Sequence, residues 1–229
     1  MSDTTARRAC ALIVLARYPE PGRVKTRLAA SIGDDSAAEI YRAFLRDIGA
    51  RFGRSGEWRL HWAFEPLEAP FAEEFANGEE AFAQSAGDLG ERMRSAIARV
   101  LGAGYRSAVL IGSDVPHLAT SVVKGAFERL ANGARLVLGP ADDGGYYLIG
   151  ACTVPPVFGG VVWGGAGVLE STIAAARSAG IEPSLLARDY DVDDRASLER
   201  LRADLIAGRV GELPATAAAL ARVPAVRYK

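Results

Sequence analysis

The stretch Leu12-Ile13-Val14-Leu15-Ala16-Arg17-Tyr18-Pro19-Glu20-Pro21-Gly22-Arg23-Val24-Lys25-Thr26-Arg27-Leu28 decides how this chain folds. An apolar run leads into a Pro/Gly turn, and the turn delivers Lys25 and Arg27 at the start of a helical pattern. Residues 9–16 are apolar throughout, as a central strand covered on both faces requires. Such a turn exposes backbone N–H groups, the helix start adds partial positive charge, and the cations suit a polyphosphate. The alternative is a surface turn before a solvated basic helix. Cations in a first helical turn oppose the helix dipole, however, so Arg23, Lys25 and Arg27 stand where local stability would not place them. Lys25-Thr26 lacks the glycine spacing of a P-loop.

Outward from this unit, short apolar runs alternate with helical patterns, which predicts an α/β fold with a mostly parallel sheet. Strands are expected at 58–64 (alternating), 82–84, 107–112, 135–138, 146–152 and 183–187. Helices are expected at 26–31, 88–101, 120–130, 168–179 and 197–205, with a short one within 66–78 and an Ala-rich closing helix after Gly208. Asp34 and Asp35 are candidate caps for a helix burying Ala37, Ile40, Tyr41, Phe44, Leu45 and Ile48. Leu89, Met93, Ile97 and Val100 are expected to face inward. Gly180 is a helix-ending glycine. No repeat or low-complexity linker divides the chain, so residues 1–229 read as one domain.

The 229 residues are 49% hydrophobic and 24% charged, with a formal net charge of −1. That balance disfavours a nucleic-acid binder working by bulk electrostatics. The basic stretch 7–54 and the acidic stretch 57–91 read as solvated faces. No apolar run is long enough to span a bilayer. Arg7-Arg8 ahead of the first apolar run imitates a signal peptide, but no small-residue cleavage site follows. Cys10 and Cys152 lie in or beside strand patterns, where buried thiols in a reducing cytoplasm are expected.

Three further stretches carry candidate chemistry. Ser113-Asp114-Val115-Pro116 follows a buried strand, at the sheet edge where open α/β folds bind ligands. A carboxylate beside a phosphate site needs a cation between them, and Mg²⁺ or Mn²⁺ would serve; an N-cap for the next helix is the alternative. Gly139-Pro140-Ala141-Asp142-Asp143-Gly144-Gly145-Tyr146-Tyr147 reads as a ligand-approaching loop, an Asp-Gly hairpin turn, or both. Asp142 or Asp143 could orient an acceptor hydroxyl or take its proton, and only one of the two tyrosines should reach a site. In Asp189-Tyr190-Asp191-Val192-Asp193-Asp194, helix capping uses Asp194 or Ser197, which leaves Asp191 and Asp193 for a second metal ligand. His61 reads as structural, His117 as a neighbour of Asp114. Gly164-Gly165-Ala166-Gly167 is a weak phosphate-loop candidate.

Together, the motifs around Lys25-Thr26-Arg27-Leu28, Gly112-Ser113-Asp114-Val115-Pro116 and 139–150 resemble the bacterial DUF2064 family, over residues 11–201. The resemblance implies the GT-A-like, nucleotide-diphospho-sugar transferase fold: a Rossmann-like three-layer α/β/α sandwich with the nucleotide at the strand C-termini. More distantly, the basic loop and last acidic turn are similar to those of phospholactate guanylyltransferases. That similarity implies Asp114 and Asp193 as a metal pair for Mg²⁺ or Mn²⁺, and Lys25 and Arg27 on the donor phosphates. Gly22, Arg23, Thr26, Ser113, Gly144 and Gly145 complete the expected donor contacts, with Asp142 or Asp143 as acceptor-side base. The family pattern has a Ser/Thr-containing segment after Trp163, where this chain has four small residues. The expectation is a cytoplasmic, metal-dependent transferase joining a nucleotide or nucleotide sugar to a small phosphorylated or sugar-type acceptor. Nucleotidyl and glycosyl transfer both stay open, as does a homodimer. The alternative is a non-catalytic nucleotide or sugar-phosphate binding module.

Overall fold

The computed structural model describes residues 10–224. The start of the first predicted strand, at residue 9, lies outside the described residues, as do Arg7 and Arg8. One seven-stranded sheet runs in the order β3-β2-β1-β4-β6-β5-β7. Its strands are β1 (Cys10–Arg17), β2 (Trp58–Glu65), β3 (Glu80–Ala83), β4 (Ala108–Gly112), β5 (Leu136–Pro140), β6 (Tyr146–Ala151) and β7 (Ser184–Leu185). β1 pairs in parallel with β2 and β4, β2 with β3, and β5 with β7. β6 alone runs antiparallel, wedged between β4 and β5. The sheet is therefore mixed and mostly parallel, and the hairpin reading of residues 139–147 holds, with β5 turning directly into β6.

The period-two geometry of β1 sends alternate side chains into two cores. Leu12 and Val14 join one apolar cluster, Ala11 and Ile13 the other. The larger cluster takes its helices from α1 (Thr26–Ile32), α2 (Asp34–Phe52), α4 (Thr120–Ala131), α6 (Arg195–Ile206) and α7 (Pro214–Leu220). The second is covered by α3 (Leu89–Gly102) and α5 (Val168–Ser178). Three layers result, as expected. α2 buries all six residues assigned to its apolar face.

Several local expectations need correction. Asp34 and Asp35 lie inside the first turn of α2 and make no side-chain cap; Gly33 occupies the cap position. Their charge there still suits the helix dipole. β2 does not alternate: all but Arg59 and Glu65 are buried, because β1 and β3 flank it and both faces are covered. The short helix expected within 66–78 is present as a single π-type turn, Ala72–Ala76. Leu89 is exposed rather than inward. Cys10 is buried but Cys152 is exposed, just past the end of β6, and the two are not bridged. No helix among the described residues is long and apolar enough to cross a membrane.

One buried carboxylate ties the C-terminal region down. Asp47 of α2 accepts the N–H groups of Ala215 at 3.0 Å and Thr216 at 2.8 Å. These belong to the first turn of α7, whose donors have no intrahelical partner. A side chain from another helix thus caps a seven-residue element that is too short to hold itself.

Candidate active site

The C-terminal ends of β1 and β4 open onto two adjoining cavities. The first, of about 380 Å³, is lined by Arg17, Arg23, Lys25, Thr26, Arg27 and Arg92, with Tyr41, Gln84 and Ser113. The second, of about 240 Å³, is lined by Met93, Tyr146, Trp163, Gly164 and Gly165, with Asp143 and Asp191. Leu15, Leu89, Asp114 and Asp193 line both.

Lys25 sits at this junction. It precedes α1 with φ of +49°, a left-handed conformation costing a non-glycine residue about 1–2 kcal/mol. What holds it there is charge. Its ammonium donates to Asp114 and, at 2.8 Å, to Asp193 Oδ1. The lysine side chain is only 4% exposed, whereas the carboxylates are 41% and 40% exposed. The amine is inside the protein, and its partners form the wall. Burial opposes its charge, but the two carboxylates outweigh that and hold its pKa above the ordinary lysine range. The expectation that Lys25 lies on the donor phosphates therefore meets a different arrangement. A buried ammonium requires counter-charge, and here Asp114 and Asp193 provide it.

The two acids come from distant segments locked to one another. Asp114 follows β4, and its carbonyl accepts the N–H of Val192 at 2.8 Å. That bond fixes the acidic turn against the sheet edge. Asp194 caps α6 reciprocally with Ser197, as anticipated, which frees Asp191 and Asp193 from capping. Asp191 faces the second cavity. Burial, then the charges of Asp114, Asp143 and Asp193, push its carboxyl up to about 7, with Lys25 opposing.

The remaining predicted residues divide. Arg23, Thr26 and Arg27 line the first cavity; Arg27 also reaches Asp194 at 3.1 Å. Ser113 lines it too, its hydroxyl 2.6 Å from that of buried Tyr41. Burial, then Asp114, push the Tyr41 phenol up to about 12, so Tyr41 remains a neutral hydrogen-bonding group near neutrality. Asp143 faces the second cavity with Gly145, whose N–H it accepts at 2.8 Å. Asp142 lines neither cavity; its carboxylate is 2.8 Å from Arg200. The hairpin turn sends the two adjacent acids to different sides. Gly22 lines neither cavity, although its φ of +74° shapes the turn ahead of Arg23. Gly144 also lies outside both. At φ +90° its position for a Cβ falls 2.0 Å from the Ala166 carbonyl oxygen, so it seats the 164–167 loop on the hairpin.

Both tyrosines line the second cavity, against the expectation that only one would; Tyr146 packs with Trp163 against the second core, while the Tyr147 hydroxyl donates to Ala187 O at 2.9 Å in the first. His61 is buried in β2 against Tyr105. His117 lines neither cavity; it stacks on Tyr190 and lies 3.1 Å from Asp189. The sequence reading did not find Arg17, Gln84, Arg92 or Trp163. Gln84 carries no motif, but its amide donates to the carbonyls of Ala16 and Ala63 at 2.8 and 2.9 Å, which fixes its oxygen.

The donor chemistry suits a hard divalent cation. No group of three His, Cys, Asp or Glu among the described residues forms a closed cage. Mg²⁺, however, is commonly held by one or two carboxylates plus substrate phosphates and water. Asp114 and Asp193 converge on one cationic position beside the arginine-lined cavity, and Asp143 and a partly ionised Asp191 add negative charge next to it.

No curated protein matches the chain. A solved structure from Desulfovibrio desulfuricans G20, provisionally named a nucleotide-diphospho-sugar transferase, is 36% identical with a TM-score of 0.83. The match covers 93% of this chain and 94% of that one. CMP:2-keto-3-deoxy-manno-octonic acid synthetase, solved with CTP, is 14% identical with a TM-score of 0.52, over 88% of this chain and 100% of that one. Rv0371C from Mycobacterium tuberculosis H37Rv, solved with manganese, is 18% identical with a TM-score of 0.50, over 85% of this chain and 98% of that one. At those identities the last two share the fold. The sequence profile of a family described as uncharacterized protein conserved in bacteria matches residues 49–165. With the 36% relative spanning nearly the whole chain, the mixed α/β sheet and its flanking helices are those of a nucleotide-diphospho-sugar transferase fold, and the chain belongs to the DUF2064 family.

Proposed function

We propose that this protein is a metal-dependent transferase that takes a nucleotide donor in the arginine-lined cavity and an acceptor in the acidic one. The observation that carries this reading is the clamp of Asp114 and Asp193 at the boundary of the two, where a transferred group would pass. Arg23, Thr26 and Arg27, with the backbone of the 22–26 turn, bind the donor phosphates. Lys25 holds Asp114 and Asp193 in place and offsets their charge. Asp143 takes the acceptor proton through its second oxygen, the first being held by Gly145. Asp114 and Asp193 would hold Mg²⁺ or Mn²⁺, which would neutralise charge on the donor phosphates and leaving group.

The favoured chemistry is nucleotidyl transfer, because a cation-rich loop directly after β1 suits a triphosphate. An acceptor hydroxyl oxygen bonds to the α-phosphorus, the bond to the bridging oxygen breaks, pyrophosphate leaves, and the hydroxyl proton passes to Asp143. Catalysis is then mainly positioning and electrostatic stabilisation. Glycosyl transfer is the second reading, favoured by the name of the 36% relative.

Thermal stabilisation by nucleoside triphosphates and nucleotide sugars, with and without Mg²⁺ or Mn²⁺, separates these readings, since ligands binding only the native state raise its stability. A metal-dependent shift with one triphosphate supports nucleotidyl transfer. A shift confined to a nucleotide sugar supports glycosyl transfer. No shift with any of them removes the donor-site assignment.

A further inference from the structure

The two cavities differ in the charge they can accept. The second is walled by four carboxylates, those of Asp114, Asp143, Asp191 and Asp193, and no Lys or Arg lines it. The nearest ammonium, on Lys25, is already shared between Asp114 and Asp193. Asp114, Asp143 and Asp193 with a partly ionised Asp191 balance or outweigh that ammonium and one added divalent cation, so no free positive charge remains in this cavity. A phosphate or carboxylate on the acceptor would enter without a counter-ion.

The opposite wall is apolar and aromatic. Trp163 and Tyr146 meet edge-to-face, with ring centroids 6.4 Å apart, beside Met93 and Leu110. The Trp163 indole lies directly over Gly90, where a Cβ would stand 2.4 Å from its ring. Its N–H is out of water and has no acceptor in the protein. Gly164 and Gly165 put no side chain into the cavity, so nothing replaces the polar residues implied by the wider family pattern. At about 240 Å³, the space is below the range of roughly 300–1,000 Å³ typical of drug-sized sites. That suits a single ring.

One wall is built of hydrogen-bond-accepting carboxylates, and the other offers aromatic and apolar faces. An uncharged carbohydrate-type ring matches both: its hydroxyls donate to carboxylates and its C–H face packs on aromatic rings. A phosphate ester matches neither wall, and a simple cation uses only one. We infer that the second cavity selects an uncharged, hydroxyl-bearing ring of the sugar or cyclitol class and rejects phosphorylated acceptors. This inference rests on the assignment of that cavity to the acceptor, and it narrows the phosphorylated-or-sugar expectation.

The test is tryptophan fluorescence in Mg²⁺ buffer, titrating neutral hexoses and myo-inositol against their monophosphates. Trp58 and Trp62 are buried in the core, so a ligand-dependent change reports Trp163. At least one neutral ring should give a saturable change that Trp163→Phe abolishes. Its monophosphate should bind this cavity at least tenfold more weakly, and Asp143→Asn should narrow that gap without changing the fold. Phosphate captured in the arginine-lined cavity is told apart by Arg27→Ala, which removes it and leaves Trp163 intact. Tighter binding of a monophosphate than of its parent ring, persisting in Arg27→Ala and lost in Trp163→Phe, would overturn the inference. So would the lack of a saturable change with every neutral ring. Failure of the donor assignment shows separately, as the lack of any nucleotide-induced thermal shift.

Discussion

The arginine-lined cavity and the acidic cavity share Leu15, Leu89, Asp114 and Asp193, yet offer opposite electrostatic environments. In the first, cations are distributed over the end of β1, the turn into α1 and the first turn of α3. Several already have carboxylate partners: Glu65 lies 2.6 Å from Arg17 and also pairs with Arg92. In the second, carboxylates converge and the cation serving two of them enters from behind the wall. The contrast places the change of electrostatic environment at the boundary formed by Asp114 and Asp193. On the proposed assignment, a donor on one side and an acceptor on the other would meet across Asp114 and Asp193.

The most severe way to break this arrangement is to remove both shared acids. The double variant Asp114→Asn/Asp193→Asn leaves Lys25 buried without counter-charge and should cost about 3–5 kcal/mol in denaturant unfolding. Asp114→Asn alone keeps Asp193 on the lysine, so it should retain the fold while abolishing transfer. Full activity in the single variant would mean the boundary is not where reaction occurs.

The two sides can then be separated. Asp143→Asn should lower kcat by about 100-fold, the lower end for loss of a general base, with donor KM unchanged. Arg27→Ala should do the reverse, raising donor KM by about tenfold with little effect on kcat; this loss of about 1.4 kcal/mol corresponds to a charge-assisted contact. If both variants changed the same constant, the division of labour between the cavities would fail.

A smaller effect tests whether the contrast is local. Asp47→Ala removes the capping of α7, away from both cavities, and should cost about 1 kcal/mol of stability. Rates per folded molecule should stay unchanged. A fall in kcat per folded molecule would show that α7 supports the site.

Local pattern made much of this molecule readable in advance. β1, the turn to Lys25 and the placement of Asp114 after β4 all follow from residues near one another in the chain. So does the reading that Asp191 and Asp193 are not needed to cap α6, because Asp194 and Ser197 satisfy that cap; that Asp193 instead neutralises buried Lys25 was not legible. What could not be read depends on pairing across the fold. Lys25 and Asp193 are neighbours only because the acidic turn bonds to the end of β4, and no periodicity records that bond. Asp142 and Asp143 are identical in type and adjacent; the hairpin geometry alone sends one to Arg200 and the other to a cavity. Trp163 and Gln84 have no motif, and their roles arise from what packs beside them: Gly90 under the indole, two carbonyls on the amide. The burial of β2 on both faces likewise reflects its place between β1 and β3, which strand composition does not specify.

The clamp also has a consequence for synthesis. Its three members arise at positions 25, 114 and 193, so a ribosome releases the lysine long before its second acid. Until the acidic turn emerges and Val192 bonds to the end of β4, the loop before α1 lacks half of its counter-charge and its left-handed lysine lacks one of its two anchors. The site is thus completed late in translation, and a nascent chain halted before that turn should carry the basic loop without the chemistry.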